Sequence, residues 1–240
     1  MAVEQGRSLV LLHGAGLGGW IWTKVKARLH VGAEAVDLPG RGLDARPGRV
    51  TLRECTDHLL TLLMSRDEPA VVVAHSFSAQ LAMLAASEQP ERVRAIVLVG
   101  GVLPEPGRAL LSIFPQPGRF LLGMYLHVAR KGVVLPKGLS RAQYGAGLEA
   151  AEADMVVERL VPEARGMYLD RVHWRKAPAH IPVIYVKLLR DAAIPPAQQD
   201  RMARRAAASR IETVEAGHLP MLSHPREMAE ILDRVSRQLT

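Results

Sequence analysis

Val71-Val72-Val73-Ala74-His75-Ser76-Phe77-Ser78-Ala79-Gln80 is a β-branched run that ends in a serine set among small residues. An alanine-rich stretch of helical character follows at once, so the segment reads as a strand, a sharp turn and a helix. Such a turn lifts the serine hydroxyl out of the backbone and presents it as a nucleophile. The usual form is G-x-S-x-G, and here Ala74 and Ser78 stand at the glycine positions. The glycines serve tight packing of strand against helix. Alanine and serine are the least bulky replacements, so the turn is expected to survive. A serine so placed needs chemical partners elsewhere in the chain.

The same alternation extends outward from this segment. Short apolar runs at 8–13, 33–37, 70–74, 95–99, 181–186 and 211–214 read as strands. Helical patterns at 19–29, 52–64, 76–87, 197–207 and 225–239 separate most of them. Near-continuous apolar strands alternating with helices predict an α/β fold, a mostly parallel sheet covered by helices on both faces. The stretch 103–179 breaks the rhythm. Pro104, Pro106, Pro115 and Pro117 punctuate its start, and it shows no strand alternation. It reads as an inserted cap of short helices on a core made of 1–102 and 180–240. Ligands of open α/β sheets bind outside the carboxyl ends of the strands, so a cap there roofs a pocket.

The chain has 240 residues, 48% hydrophobic and 23% charged, with a net charge of +7. That is ordinary globular composition. The basic residues are mostly arginines scattered over predicted helix faces. The densest group, Arg201, Arg204, Arg205 and Arg210, lies around one helix and its end. No nucleic-acid motif accompanies it, so no nucleic-acid partner is expected. No apolar run approaches the roughly 20 residues of a membrane span, and the residues before the first strand do not read as a leader, so none is expected. A cytoplasmic protein with no membrane partner is expected. The arginine and alanine bias suggests a GC-rich bacterial genome. A lone cysteine, Cys55, excludes an internal disulfide and a multi-cysteine metal cluster; it reads as a small buried hydrophobe.

Three further motifs fall at strand ends. His13-Gly14-Ala15-Gly16-Leu17-Gly18-Gly19 follows the first strand. A loop of this kind presents a backbone N–H to a tetrahedral oxyanion, and the residue after the nucleophile supplies a second. Ala15 and Phe77 are the expected donors. The loop lacks both G-x-G-x-x-G with its ribose-binding acid and the Walker Lys-Ser/Thr, which weighs against nucleotide binding. Asp191 lies just past the fifth strand, where an acid orients a histidine. His218, in Ala216-Gly217-His218-Leu219-Pro220 after the last strand, has the chemistry of a general base. His75 lies inside the turn, His13 belongs to the glycine loop and His224 begins the last helix; none is the expected base.

The order Ser76, Asp191, His218 is that of the α/β-hydrolase superfamily. The chain resembles that superfamily over nearly its whole length. The resemblance is carried by Leu11-Leu12-His13-Gly14-Ala15-Gly16, Asp37-Leu38-Pro39-Gly40-Arg41-Gly42, Ala74-His75-Ser76-Phe77-Ser78, Asp191 and Gly217-His218. Trp20-Ile21-Trp22, Ile181-Pro182-Val183-Ile184-Tyr185-Val186 and Ala216-Gly217-His218-Leu219-Pro220-Met221 are similar to the small esterases related to hydroxynitrile lyases and plant methylesterases. The lyases of that branch carry lysine after the catalytic histidine and threonine after the loop histidine. Leu219 and Gly14 occupy those positions here, which argues against lyase activity. Ser76 stands against the epoxide hydrolases and haloalkane dehalogenases, whose nucleophile is aspartate.

The expected activity is hydrolysis of a carboxylic ester, lactone or thioester, with Ser76, His218 and Asp191 catalytic and no cofactor or metal. The alternatives are a non-hydrolytic cyclase, decarboxylase or lyase using the same residues, and a ligand receptor. The expected partner is a hydrophobic small molecule, and the chain is a monomer or homodimer. Its pocket walls are expected from His13, Trp20, Phe77, Phe114, Phe120, Met124, Tyr125, Tyr144, Leu219 and Met221.

Overall fold

The computed structural model describes residues 8–41 and 47–238. Gly42, Leu239 and the segment before Ser8 lie outside the described residues. The elements up to the middle of the chain are β1 (Leu9–Leu12), α1 (Thr23–Lys26), β2 (Ala33–Val36), α2 (Leu52–Met64), β3 (Ala70–His75), α3 (Ala79–Glu88) and β4 (Val93–Val99). Then come β5 (Arg108–Ala109), α4 (Gly118–Val128), α5 (Lys137–Tyr144), α6 (Ala150–Arg159), α7 (Gly166–Leu169) and β6 (Arg171–Val172). The chain closes with β7 (Val183–Leu188), α8 (Pro196–Arg205), β8 (Arg210–Val214), α9 (Pro220–Ser223) and α10 (Pro225–Gln238).

The main sheet has the order β2-β1-β3-β4-β7-β8, and each neighbouring pair is parallel. The inner strands β1 and β3 are wholly buried, which is why they read as unbroken apolar runs. The edge strand β8 alternates toward water. Strand alternation sorts the core into two layers. Val10, Leu12, Val72, Ala74, Ile96 and Leu98 pack with α2, α3 and α8. Leu9, Leu11, Val71, Val73, Ala95 and Val97 pack with α1 and α10 on the other face.

Helix starts follow local chemistry. Thr51 and Glu54 form a reciprocal cap at α2, with Glu54 N–H donating to Thr51 Oγ1 and Thr51 N–H to Glu54 Oε2. The predicted helix 19–29 is instead a 3₁₀ turn (Gly19–Trp22) followed by the short α1; no side chain caps the turn. Cys55 is buried in α2, and burial pushes its thiol up to about 12. The stretch between β4 and β7 holds the short helices expected of it. It also holds a small antiparallel pair, Arg108 with Val172 and Ala109 with Arg171. Two-residue strands are too short to show alternation in a sequence. Among the described residues, no helix is long and apolar enough to cross a membrane.

Candidate active site

Ser76 directly follows β3, with φ of +54°. A non-glycine residue held there stores strain of about 1–3 kcal/mol, and such strain clusters at functional sites. A 3₁₀ turn (Ser76–Ser78) leads into α3, which is buried from Ala79 to Ala86. The small side chains Ala79, Ala82, Ala85 and Ala86 let that helix lie against the sheet. Ala74 is fully buried between Leu12 and Leu98 of the flanking strands. Ser78 is also fully buried, and its hydroxyl donates to the His13 carbonyl at 2.5 Å. The residue replacing the second glycine thus fastens the turn to the loop leaving β1.

His218 Nδ1 donates to Asp191 Oδ2 at 2.8 Å, and its Nε2 lies 3.1 Å from Ser76 Oγ. The strand ends expected to converge do converge, and Ser76, Asp191 and His218 are all buried. Asp191 is itself held: its Oδ1 accepts from Ala193 N–H at 2.8 Å and Ile194 N–H at 2.9 Å. The Gln199 side-chain NH₂ lies 3.4 Å from Oδ2 and donates to the Ile194 carbonyl at 2.7 Å. No sequence signal singled out Gln199, a polar residue on an amphipathic helix.

A cavity of about 120 Å³ opens over Ser76, lined by Ala15, Phe77 and His218 from the sheet side. Leu110, Phe114, Leu122, Tyr144 and Tyr168 close it from the 103–179 stretch. An adjoining cavity of about 270 Å³ shares Ala15, Val133, Leu135, Tyr144 and Tyr168 with it.

Of the expected pocket walls, Phe77, Phe114 and Tyr144 line this cavity. Contrary to expectation, the others lie outside it. Phe120, Met124 and Tyr125 are 62%, 56% and 38% exposed on the outer side of α4. The helical repeat turns Leu122 to the cavity and buries Leu126, which carries 120, 124 and 125 outward. Leu219 and Met221 are buried in the core on the α1 and α10 face. Trp20 lies under the Arg159 guanidinium, 4.2 Å from its ring centre. His13 is fully buried behind the loop.

The glycine loop is fixed at nearly every main-chain group. Ala15 O accepts from Tyr144 Oη at 3.1 Å, and Gly16 N–H donates to Glu163 Oε2 at 2.8 Å. Gly16 O accepts from Val161 N–H at 2.9 Å, and Leu17 N–H donates to Gly14 O at 3.2 Å. Leu17 O accepts from Arg41 Nε at 2.7 Å. The N–H of Ala15, a residue lining the cavity, is the one main-chain group from Ala15 to Leu17 outside these bonds. Asp37 and Leu38 brace the loop's two ends: Gly19 N–H donates to Asp37 Oδ1 at 2.7 Å, and Leu38 N–H to His13 Nε2 at 3.2 Å.

The Leu38 bond makes His13 Nε2 an acceptor, so Nδ1 carries the proton and donates to Gly14 O at 2.9 Å. Burial, with Arg41 nearby, lowers the His13 pKa to about 3. His75 donates from Nε2 to the His218 carbonyl at 2.9 Å, and burial holds its pKa well below the ordinary range. Both rings are neutral, and their hydrogen bonds go to Gly14, Leu38 and the His218 carbonyl, not to Ser76 Oγ. A Cβ on Gly14 would lie 2.6 Å from His75 Nδ1, which explains why this chain has no threonine there. Neutral burial of His13 has a stability consequence. With a folded pKa near 3 against 6.5 unfolded, the unfolded chain binds the extra proton between those values. The stability is complete above about pH 6.5 and is lost as pH falls. At about 1.4 kcal/mol per unit, His13 costs roughly 3 kcal/mol between pH 7 and pH 4. Urea unfolding should show that loss in wild type and a shallower one in His13→Asn. Equal slopes would contradict it.

Strand order, a strained serine at the end of β3 and a histidine after β8 define the class. The chain matches the alpha/beta hydrolase family over residues 9–231 and belongs to it. The curated proteins it is similar to include plant esterases and methylesterases. It is 24% identical over 257 residues to polyneuridine aldehyde esterase of Rauvolfia serpentina, covering 97% of each chain. It is 26% identical over 252 residues to methylesterase 7 of Arabidopsis thaliana, again covering 97% of each. Among solved structures, an extracellular alpha/beta-hydrolase from a Paenibacillus species superposes with a TM-score of 0.85 at 19% identity, over 95% of this chain and 98% of that one.

Proposed function

We propose that the chain hydrolyses a carboxylic ester of a hydrophobic small molecule through an acyl-serine. One observation carries this reading: the Asp191–His218–Ser76 chain of contacts, at 2.8 and 3.1 Å, ends in a largely apolar cavity. His218 Nε2 takes the Ser76 proton as Oγ attacks the acyl carbon. The oxyanion forms against the N–H groups of Ala15 and Phe77. His218 then gives the proton to the leaving alcohol, activates water and releases the acid. Asp191 keeps His218 in the tautomer that exposes Nε2 to serine. The 103–179 stretch acts as the cap that closes the cavity and sets specificity. The esterase and methylesterase names of the relatives support an ester, with a small alcohol suited to the cavity beside Ser76. Thioesters and lactones fit the same chemistry, and no cofactor enters it.

The test is a panel of methyl, longer alkyl and thioesters and lactones of apolar acids, run in ¹⁸O-labelled water. Hydrolysis is expected to place one label in the released acid. A product without label, formed at a Ser76-dependent rate, would favour a lyase or cyclase use of the same residues.

A further inference from the structure

The motif that runs from Asp37 to Arg41 has no part in the chemistry above, and Glu163 lies far from Ser76 in sequence. The structure joins them. Glu163 is 3% exposed, and its Oε2 accepts from both Gly16 N–H at 2.8 Å and Arg41 Nη2 at 2.5 Å. Its Oε1 accepts from Ala164 N–H at 2.8 Å. Its main chain exchanges two bonds with Val133, at 2.7 and 2.8 Å, so the side chain stands on a fixed base. Arg41 uses Nε to hold Leu17 O, and its Nη1 is buried with no partner among the described residues. Among the described residues, Glu163 is the only carboxylate paired with this guanidinium.

We infer that Glu163 and Arg41 are positioning residues for the oxyanion donor, and that the 103–179 stretch assembles that donor by seating Glu163 on the glycine loop. The inference rests on the proposed serine chemistry and extends it to how the site is organised. Three of the groups that fix Ala15–Leu17 come from this stretch: Tyr144, Val161 and Glu163. Arg41 reaches Leu17 from the core, and Glu163 holds Arg41. Gly14 O, the carbonyl of the donor's own peptide, stays with His13 Nδ1 and Leu17 N–H, so displacing the cap to admit substrate releases the two peptides that follow the donor, Ala15–Gly16 and Gly16–Leu17, and loosens the loop around it. Reseating it restores the donor beside Ser76, so cap closure and oxyanion-site assembly are one event.

The experiment uses Glu163→Ala and the milder Glu163→Gln in the full chain. The glutamine variant keeps an oxygen for Gly16 N–H but leaves Arg41 without its carboxylate. A donor displaced by about 1 Å costs about a hundredfold in rate. Glu163→Ala is expected to lower kcat by about that factor, and Glu163→Gln by about tenfold, with KM changed less than threefold in both. Rates are referred to sites titrated with a fluorophosphonate, so a loss of folded protein does not count. Amide exchange of Gly16 should quicken at least tenfold in Glu163→Ala. Unchanged kcat per titrated site, or a graded loss in KM alone, overturns the inference. Should wild type fail to react with the fluorophosphonate, the serine chemistry falls, and the exchange of Gly16 still decides whether Glu163 holds the loop. Exchange equal to that of wild type shows that Glu163 does not hold the loop.

Discussion

Ser76→Ala is expected to lower kcat on any ester the wild type hydrolyses by on the order of a millionfold, the scale seen when a triad nucleophile is removed. The reason is local. Oγ is the atom that His218 Nε2 faces at 3.1 Å, and the neighbouring Ser78 hydroxyl is turned away, committed to the His13 carbonyl at 2.5 Å. That second hydroxyl is therefore not free to replace the first. Alanine keeps the Cβ and the backbone, so the turn at φ +54° should persist with substrate binding intact. Rates measured against a long-lived ester, with intact-mass detection of fluorophosphonate adducts, check both halves. A variant retaining a hundredth of wild-type kcat would mean that another nucleophile does the work.

Asp191→Asn is expected to lower kcat about ten-thousandfold while leaving KM near wild type. The carboxylate has its Oδ1 filled by the N–H groups of Ala193 and Ile194, at 2.8 and 2.9 Å. An asparagine oxygen must take that side, which turns the NH₂ toward His218. Nδ1 then has to accept a hydrogen bond, and the ring proton moves to Nε2, where it faces serine. A histidine in that tautomer cannot take the serine proton. Steady-state kinetics paired with nitrogen chemical shifts of the His218 ring would show the tautomer change and the rate loss together. A rate loss without it would assign Asp191 a purely structural part.

Much of this was legible in the sequence because strand ends are local events. β-branched runs stop where a loop begins, and Ser76, Asp191 and His218 each sit within a few residues of such a stop. The two core layers follow from alternation along strands for the same reason. Most of the pocket walls were not legible. Phe120 and Phe114 look alike as apolar residues of one stretch, but packing alone decides that Phe114 lines the cavity over Ser76 and Phe120 faces outward. Only the packing of α4 turns Leu122 inward. Glu163 and Arg41 were hidden for a second reason. Their pairing spans 122 positions, and a charged residue in a loop has no local mark of burial. The Asp37-to-Arg41 motif could be seen as a resemblance, but its purpose needed the loop it braces.

Gly217, the residue before His218, has a contact of a different kind. A Cβ there would lie 2.0 Å from the carbonyl oxygen of Ala146, between α5 and α6. The main chain that carries the candidate base is thus pressed against the inserted segment with no room for a methyl group. For domain exchange this sets a compatibility rule. A lid borrowed from a relative would have to bring its own backbone to the same clearance at Gly217, or it would shift the histidine while leaving every triad residue unmutated. Chimeras intended to alter only specificity would then lose turnover through a seam that no list of catalytic residues contains.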